Sequence, residues 1–355
     1  MTIDATGKTV MPGLIDAHVH VLIPIPPAID SDDALAAHLR DVTPGRLRDY
    51  LDHGVTTILS TGDYWPAIAE VRDRVADGEL AGPRILTAGP VFTAPGGHPA
   101  TTICLEGEPW CRANVAREVA GPAAAREHVR ALAAEGVDVV KAVLGSILAP
   151  RLDPDVFAAM VDEAHAEGIR AYVHTATPAD AADALAGGVD GLVHAVSPAP
   201  VPPELVERLL ASGVTVTTTL GVFAPLIGPD GSKGQTYGGE WTEEAEQLFQ
   251  SSQANIRAMV QAGVPLVLGT DAPMLAPWEA MWREIEILSA AGLSNGQILI
   301  SATRNAALHL GMSDELGTLE PGKIADLIVV DGDPVADLGA LNAVEIVVQA
   351  GRVVR

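Results

Sequence analysis

Along most of the chain, short apolar runs rich in β-branched residues alternate with Ala/Leu/charged segments of helical period. That alternation is the signature of repeated strand–helix units around a parallel sheet. The pattern predicts strands over residues 14–20, 56–61, 84–88, 137–143, 170–174, 191–194, 214–220 and 266–270. Helical periodicity falls between them, over 46–53, 65–77, 123–135, 154–167, 178–186, 203–211, 242–262 and 277–291. Several of these helices open on a proline and stop at Gly54, Gly136, Gly168, Gly213 or Gly263, as helix start and stop rules require. Eight strands in strict alternation with helices predict an α/β fold, a (β/α)8 TIM barrel spanning 12–312.

One more helix is expected over 295–310, after which the character of the chain changes. Turn signals and strand-like runs over 317–331, 344–348 and 352–354 belong outside a closed barrel. Residues 313–355, joined by 1–11, are therefore expected to form a small β-sheet domain. Two connections, 91–122 and 222–241, are too long for simple turns. Both follow strand C-terminal ends, where barrel enzymes build active sites, so each is expected to act as a lid.

Composition narrows the function. A formal net charge of −24 disfavours nucleic acid and anionic membrane surfaces as partners. No long apolar run and no basic-then-apolar leader is present, which predicts a cytoplasmic protein without a membrane span. Cys104 and Cys111 share one Pro/Gly-rich loop; a local disulfide is open to them, but unpaired intracellular thiols are expected.

The candidate chemistry sits at the strand ends. His18 and His20 lie two apart on the first strand, so both imidazoles face the same way, as a zinc-type site requires. Lys141, one of four lysines, is flanked by valines within the fourth strand. A bare ammonium there must be paired with a carboxylate such as Asp271 or neutralised, and a neutral amine can take up carbon dioxide as a carbamate. His174 closes the fifth strand, His194 the sixth and Asp271 the eighth. Strand C-terminal ends converge on one mouth of a barrel, so these groups are expected to face one another.

This pattern resembles the binuclear amidohydrolase superfamily. The segments Val10-Met-Pro-Gly-Leu-Ile-Asp-Ala-His-Val-His20, His53-Gly-Val-Thr-Thr57 and Gly317-Thr-Leu-Glu-Pro-Gly-Lys-Ile-Ala-Asp-Leu-Ile-Val-Val330 are similar to its imidazolonepropionase-like and Xaa-Pro dipeptidase-like branch. The resemblance implies two divalent ions, zinc or else manganese, cobalt or iron. It gives His18, His20 and Asp271 to one ion, His174 and His194 to the other, and an N6-carboxylysine at Lys141 to both. It further implies a hydroxide between ions roughly 3.5–4 Å apart as nucleophile, with Asp271 as the catalytic proton carrier. Hydrolysis of an amide, peptide or cyclic amide bond in a small-molecule substrate is expected, with esters, lactones and carbamates open to the same chemistry. A mononuclear deaminase and a non-catalytic barrel are the competing readings. The filled ligand set, and the lack of an acid after His194, disfavour both.

Family members carry a longer segment before the Gly7-Lys-Thr-Val-Met-Pro-Gly13 stretch, so either a reduced terminal domain or a chain begun at a late start is expected, with an exposed strand edge favouring a homo-oligomer. His98 and Tyr237, in the two long loops, are candidates for substrate binding, and Arg112 and Arg117 for a substrate carboxylate.

Overall fold

The computed structural model describes residues 3–23, 29–104, 108–145, 149–194, 198–227, 233–236, 239–271 and 273–355. Eight parallel strands form a barrel: Leu14–Val19, Val55–Ser60, Arg84–Thr87, Val139–Val143, Arg170–His174, Gly191–Val193, Thr215–Thr217 and Leu266–Val267. They match the expected strands in number and order. The first three pair in sequence, as do the last five. Two seams close the ring. Across strands 8 and 1, Ala17 N donates to Leu268 O at 3.0 Å and Thr270 N to His18 O at 3.2 Å. Across strands 3 and 4, Asp138 N donates to Thr87 O at 2.9 Å. Beyond that bond the third strand breaks, and its continuation Val91–Thr93 takes over the pairing with strand 4 through Phe92 and Ala142.

The helices form because their apolar positions fall on one face and their ends are capped. In Pro154–Ala166 the Asp153 side chain accepts from Asp155 N, while Val156, Phe157, Met160, Val161 and Ala164 are buried. Truncating a fully buried Phe157 to alanine would cost about 3–5 kcal/mol. Inside the barrel, Ile15, Leu59, Val139, Tyr172, Val193 and Val267 pack with Ala306 and Ala307 of the helix Arg304–His309. Tyr172 stacks on His309 with ring centroids 4.2 Å apart and donates its hydroxyl to the His309 carbonyl. This apolar plug fills the N-terminal end of the barrel and leaves the C-terminal end for chemistry.

Thr9–Pro12 pairs antiparallel with Leu327–Val330, followed in order by Val344–Gln349 and Arg352–Val353. Gln349 Nε2 donates to Thr56 O at 3.0 Å, and Asp326 accepts from Ala350 N at 2.6 Å while facing Arg84 at 3.4 Å. These bonds tie the four-stranded sheet to the barrel beside its second and third strands.

The long connection 91–122 carries the strands Val91–Thr93 and Ala116–Glu118 and the helix Pro109–Val115. One expectation needs correction. Cys104 and Cys111 are not free thiols: they are joined in a disulfide, both buried. Sequence spacing could not decide this, because it does not show that the two Cα atoms come within 5.5 Å. The 222–241 connection carries a small antiparallel sheet of Leu226–Ile227, Lys233–Thr236 and Gly239–Glu240. Among the described residues, no helix is long and apolar enough to cross a membrane.

Candidate metal centre

Strand alternation carries His18 and His20 to one side of the first strand, with ring centroids 5.4 Å apart. Lys141 lies within the fourth strand, 4% exposed. His174 closes the fifth strand; His194 and Asp271 stand one and four residues beyond the ends of the sixth and eighth. All six line one cavity of about 410 Å³ at the C-terminal mouth. The His174 and His194 rings are 4.2 Å apart, and His18 lies 5.3 Å from His194. Asp271 Oδ1 is 3.1 Å from His20 Nε2 and 3.4 Å from His18 Nε2, while Oδ2 is 3.8 Å from His194 Nδ1. Donor atoms of His18, His194 and Asp271 all fall within 4.8 Å of one another.

The backbone is bent to achieve this. His194 (φ 75°), Thr219 (φ 44°) and Asp271 (φ 50°) hold left-handed conformations that cost non-glycine residues energy, and all three stand at the mouth. Close strand approach adds to it. A Cβ on Gly269 would lie 2.7 Å from His18 Cβ, and one on Gly62 would lie 2.5 Å from Val91 Cγ2.

The protonation states suit a cation. Burial, then Lys141 nearby, lowers the His18 imidazole to about 3. Burial also holds His174 and His194 well below the usual range. These rings are neutral and carry lone pairs. Burial would raise the Asp271 carboxyl, but the surrounding imidazoles hold it well below the carboxylate range. Burial lowers the Lys141 amine to about 7, against the pull of Asp271.

One contact sets the orientation of the His20 ring. His20 Nδ1 sits 2.5 Å from the Gly62 carbonyl, which can only accept, so this nitrogen carries the proton. In the neutral ring Nε2 is then a lone pair, and it faces an Asp271 carboxylate oxygen at 3.1 Å. Burial would lower this imidazole, but its contact with Asp271 raises it; protonated, Nε2 donates to that carboxylate, and deprotonated it offers a lone pair to a cation between the two. Neutral imidazoles and a carboxylate converging on that point form the donor set a divalent ion takes.

His98 also lines the cavity; its ring is 5.4 Å from His174, and its Nδ1 lies 2.5 Å from Thr102 Oγ. Burial lowers its imidazole to about 4. Tyr237 lies outside the described residues. Arg112 is bound to Glu118 at 2.6–3.2 Å, and Arg117 donates to the carbonyls of Ala113 and Ala116, so neither lines the cavity.

Sequence reasoning missed the residues that hold this set in place. Thr219 Oγ stands 2.7 Å from His194 Nδ1. Asp63 accepts from Val21 N, Leu22 N and Ser60 Oγ at 2.7–2.8 Å, gathering the exit of the first strand. Asp16 accepts from Thr270 N and Oγ at 2.9–3.0 Å, fixing the residue before Asp271. Glu284 accepts from Thr218 Oγ, Leu220 N and Gly221 N. Asp16 gave a signal, being an acid within an apolar run; Asp63 and Glu284 gave none.

Residues 9–354 match the model of the amidohydrolase family. The chain belongs to that family. An imidazolonepropionase of Shouchella clausii is 25% identical over 99% of this chain and 78% of its own length. The crystal structure of a prolidase complexed with N-methylphosphonate-L-proline superposes with a TM-score of 0.81 at 27% identity, covering 99% of this amidohydrolase and 88% of the prolidase. A molinate hydrolase structure shares the fold, with a TM-score of 0.80 at 24% identity over 99% and 84% of the two chains. The amidohydrolase is thus a metal-dependent hydrolase of carbon–nitrogen bonds in small molecules, in the imidazolonepropionase and prolidase-like branch, and the expected (β/α)8 barrel is present.

Proposed function

We propose that the enzyme cleaves amide or cyclic amide bonds at a centre of two divalent ions, with zinc the metal its nitrogen-rich donor set suits best. His18, His20 and Asp271 would hold one ion and His174 and His194 the other, with Lys141 contributing to both as a carbamate. The observation that carries this reading is the convergence of all six side chains on one cavity. Bound ions would acidify a water and polarise the scissile carbonyl.

The remaining work falls to the chain. Asp271, held as a carboxylate, is a proton acceptor at Oδ1 or Oδ2 and can carry that proton to the leaving nitrogen. Lys141, lowered to about 7, has a substantial neutral fraction, and only the neutral amine forms a carbamate. His98 meets the substrate from beside His174, its Nδ1 occupied by Thr102. The apolar plug below the site shuts out water from the other end of the barrel.

Metal analysis of the purified protein tests this directly. Two equivalents of divalent metal are expected, with activity lost in Lys141→Ala and regained on adding small carboxylic acids. One equivalent, or no rescue, would overturn the bridged pair. Absence of any amide, lactone or carbamate hydrolysis by metal-loaded protein would overturn the catalytic reading.

A further inference from the structure

Among the described residues, the polar groups lining the cavity are confined to its floor. There stand the six candidate ligands, with Thr61 and His98 beside them. Among the described residues, the lining above the floor is aliphatic or aromatic. Val91, Ile103 and Val115 come from the region after the third strand, Val222 and Phe223 from the turn after the seventh, and Leu248 from the helix Glu243–Ala262. Phe223 leans on the His194 ring, centroids 5.9 Å apart, so the apolar surface begins at the edge of the floor.

Among the described residues, the arginines near this wall are engaged elsewhere. Arg112 is held by Glu118, and Arg117 by backbone carbonyls. Arg283 donates to Pro225 O at 2.5 Å and does not line the cavity. Among the described residues, the wall holds no arginine, and its one lysine is Lys141 on the floor. A carboxylate pressed against this wall would lose its hydration and gain no partner. An alkyl or aryl group would gain contact along its whole length.

We infer that the substrate is an uncharged amide or carbamate whose groups on both sides of the scissile bond are apolar, and that the wall discriminates against free-carboxylate substrates such as dipeptides. This rests on the reading of the floor as a hydrolytic metal centre, but the selectivity belongs to the wall. Water adds across the C–N bond to give an acid and an amine, so the charge of the product acid appears at the floor, beside the proposed ions and the hydrogen-bonding groups.

Two matched pairs test the inference. N-hexanoyl-phenethylamine and N-hexanoyl-phenylalanine differ by a carboxylate on the amine side; hexananilide and adipic monoanilide differ by one on the acyl side. With the metal-loaded enzyme, the neutral member of each pair is expected to have at least about tenfold higher kcat/KM. Leu248→Arg should narrow or invert that ratio in at least one pair. A charged member equal or superior to its neutral partner in wild type overturns the inference. A second measurement does not depend on turnover: titration calorimetry with octanohydroxamic acid and suberic monohydroxamic acid, which share a metal-binding head and differ in the tail end. At least tenfold tighter binding of the neutral tail is expected, and equal binding overturns the inference. Tail selectivity without turnover of any amide would instead leave the wall standing and overturn the hydrolytic reading.

Discussion

His194 Nδ1 lies 2.7 Å from the Thr219 hydroxyl, and both residues hold left-handed backbone, φ 75° and 44°. Two strained positions meet in a single contact that sets the orientation of a candidate ligand ring. Partners of ligating histidines fix tautomer and orientation, and losing one typically costs 10–100-fold in metal affinity or activity. Thr219→Val keeps the shape and removes the hydroxyl. It is expected to weaken metal binding by about 10–100-fold in chelator competition, with Thr219→Ser retaining most of it. Unchanged affinity in the valine variant would show that the contact is incidental.

The turn that carries Thr219 is held by Glu284, which accepts from Thr218 Oγ, Leu220 N and Gly221 N on either side of it. Burial, opposed by those hydrogen bonds, raises this carboxyl from 4.5 to about 7. A carboxyl whose folded pKa is raised binds more protons folded than unfolded between those two values. Stability therefore falls as pH rises from about 4.5 to 7, by up to about 3 kcal/mol at 1.36 kcal/mol per unit. Glu284→Gln cannot ionise, so its thermal midpoint relative to wild type should climb across that window and level off above it. A constant difference across the window would mean that Glu284 titrates normally.

What the sequence revealed and what it hid follow from chain locality. His18 and His20 were legible because a strand repeats every two residues, and Asp271 because it closes an apolar run. The barrel was legible because each strand–helix unit announces itself locally. Glu284 was not, since an acid on an amphipathic helix reads as solvent-facing until the packing of Pro277–Ala290 against the seventh strand's exit buries it. Thr219 looked like one more strand threonine. The apolar wall was hidden for the same reason: its residues come from segments far apart in the chain and are ordinary aliphatics within each.

Gly62 joins close packing to ligand orientation. A Cβ there would lie 2.5 Å from Val91 Cγ2, and its carbonyl holds His20 Nδ1. Gly62→Ala must push the Thr61–Asp63 turn or Val91 aside, and overpacking of this kind costs about 1–3 kcal/mol. The expected result is a lower thermal midpoint together with weaker metal binding, since the His20 ring loses its anchor. A variant with wild-type metal affinity would show that the turn can shift without moving His20.

The Cys104–Cys111 disulfide closes a short loop whose flanks, Ile103 and Val115, both face the cavity. In the chain-entropy account, a cross-link over a seven-residue separation contributes about 2–3 kcal/mol, mainly by restricting the unfolded chain. Replacing both cysteines by serine should lower the thermal midpoint and raise KM for apolar amides more than it lowers kcat, because the floor of the site is built on other strands. Disulfides are rare in reducing compartments, so the oxidation state of this pair in the cell bears directly on the expected cytoplasmic location. Thiol-labelling mass spectrometry on freshly lysed cells reads that state. A fully labelled pair, with serine variants indistinguishable from wild type in midpoint and KM, would remove the cross-link from any account of the wall.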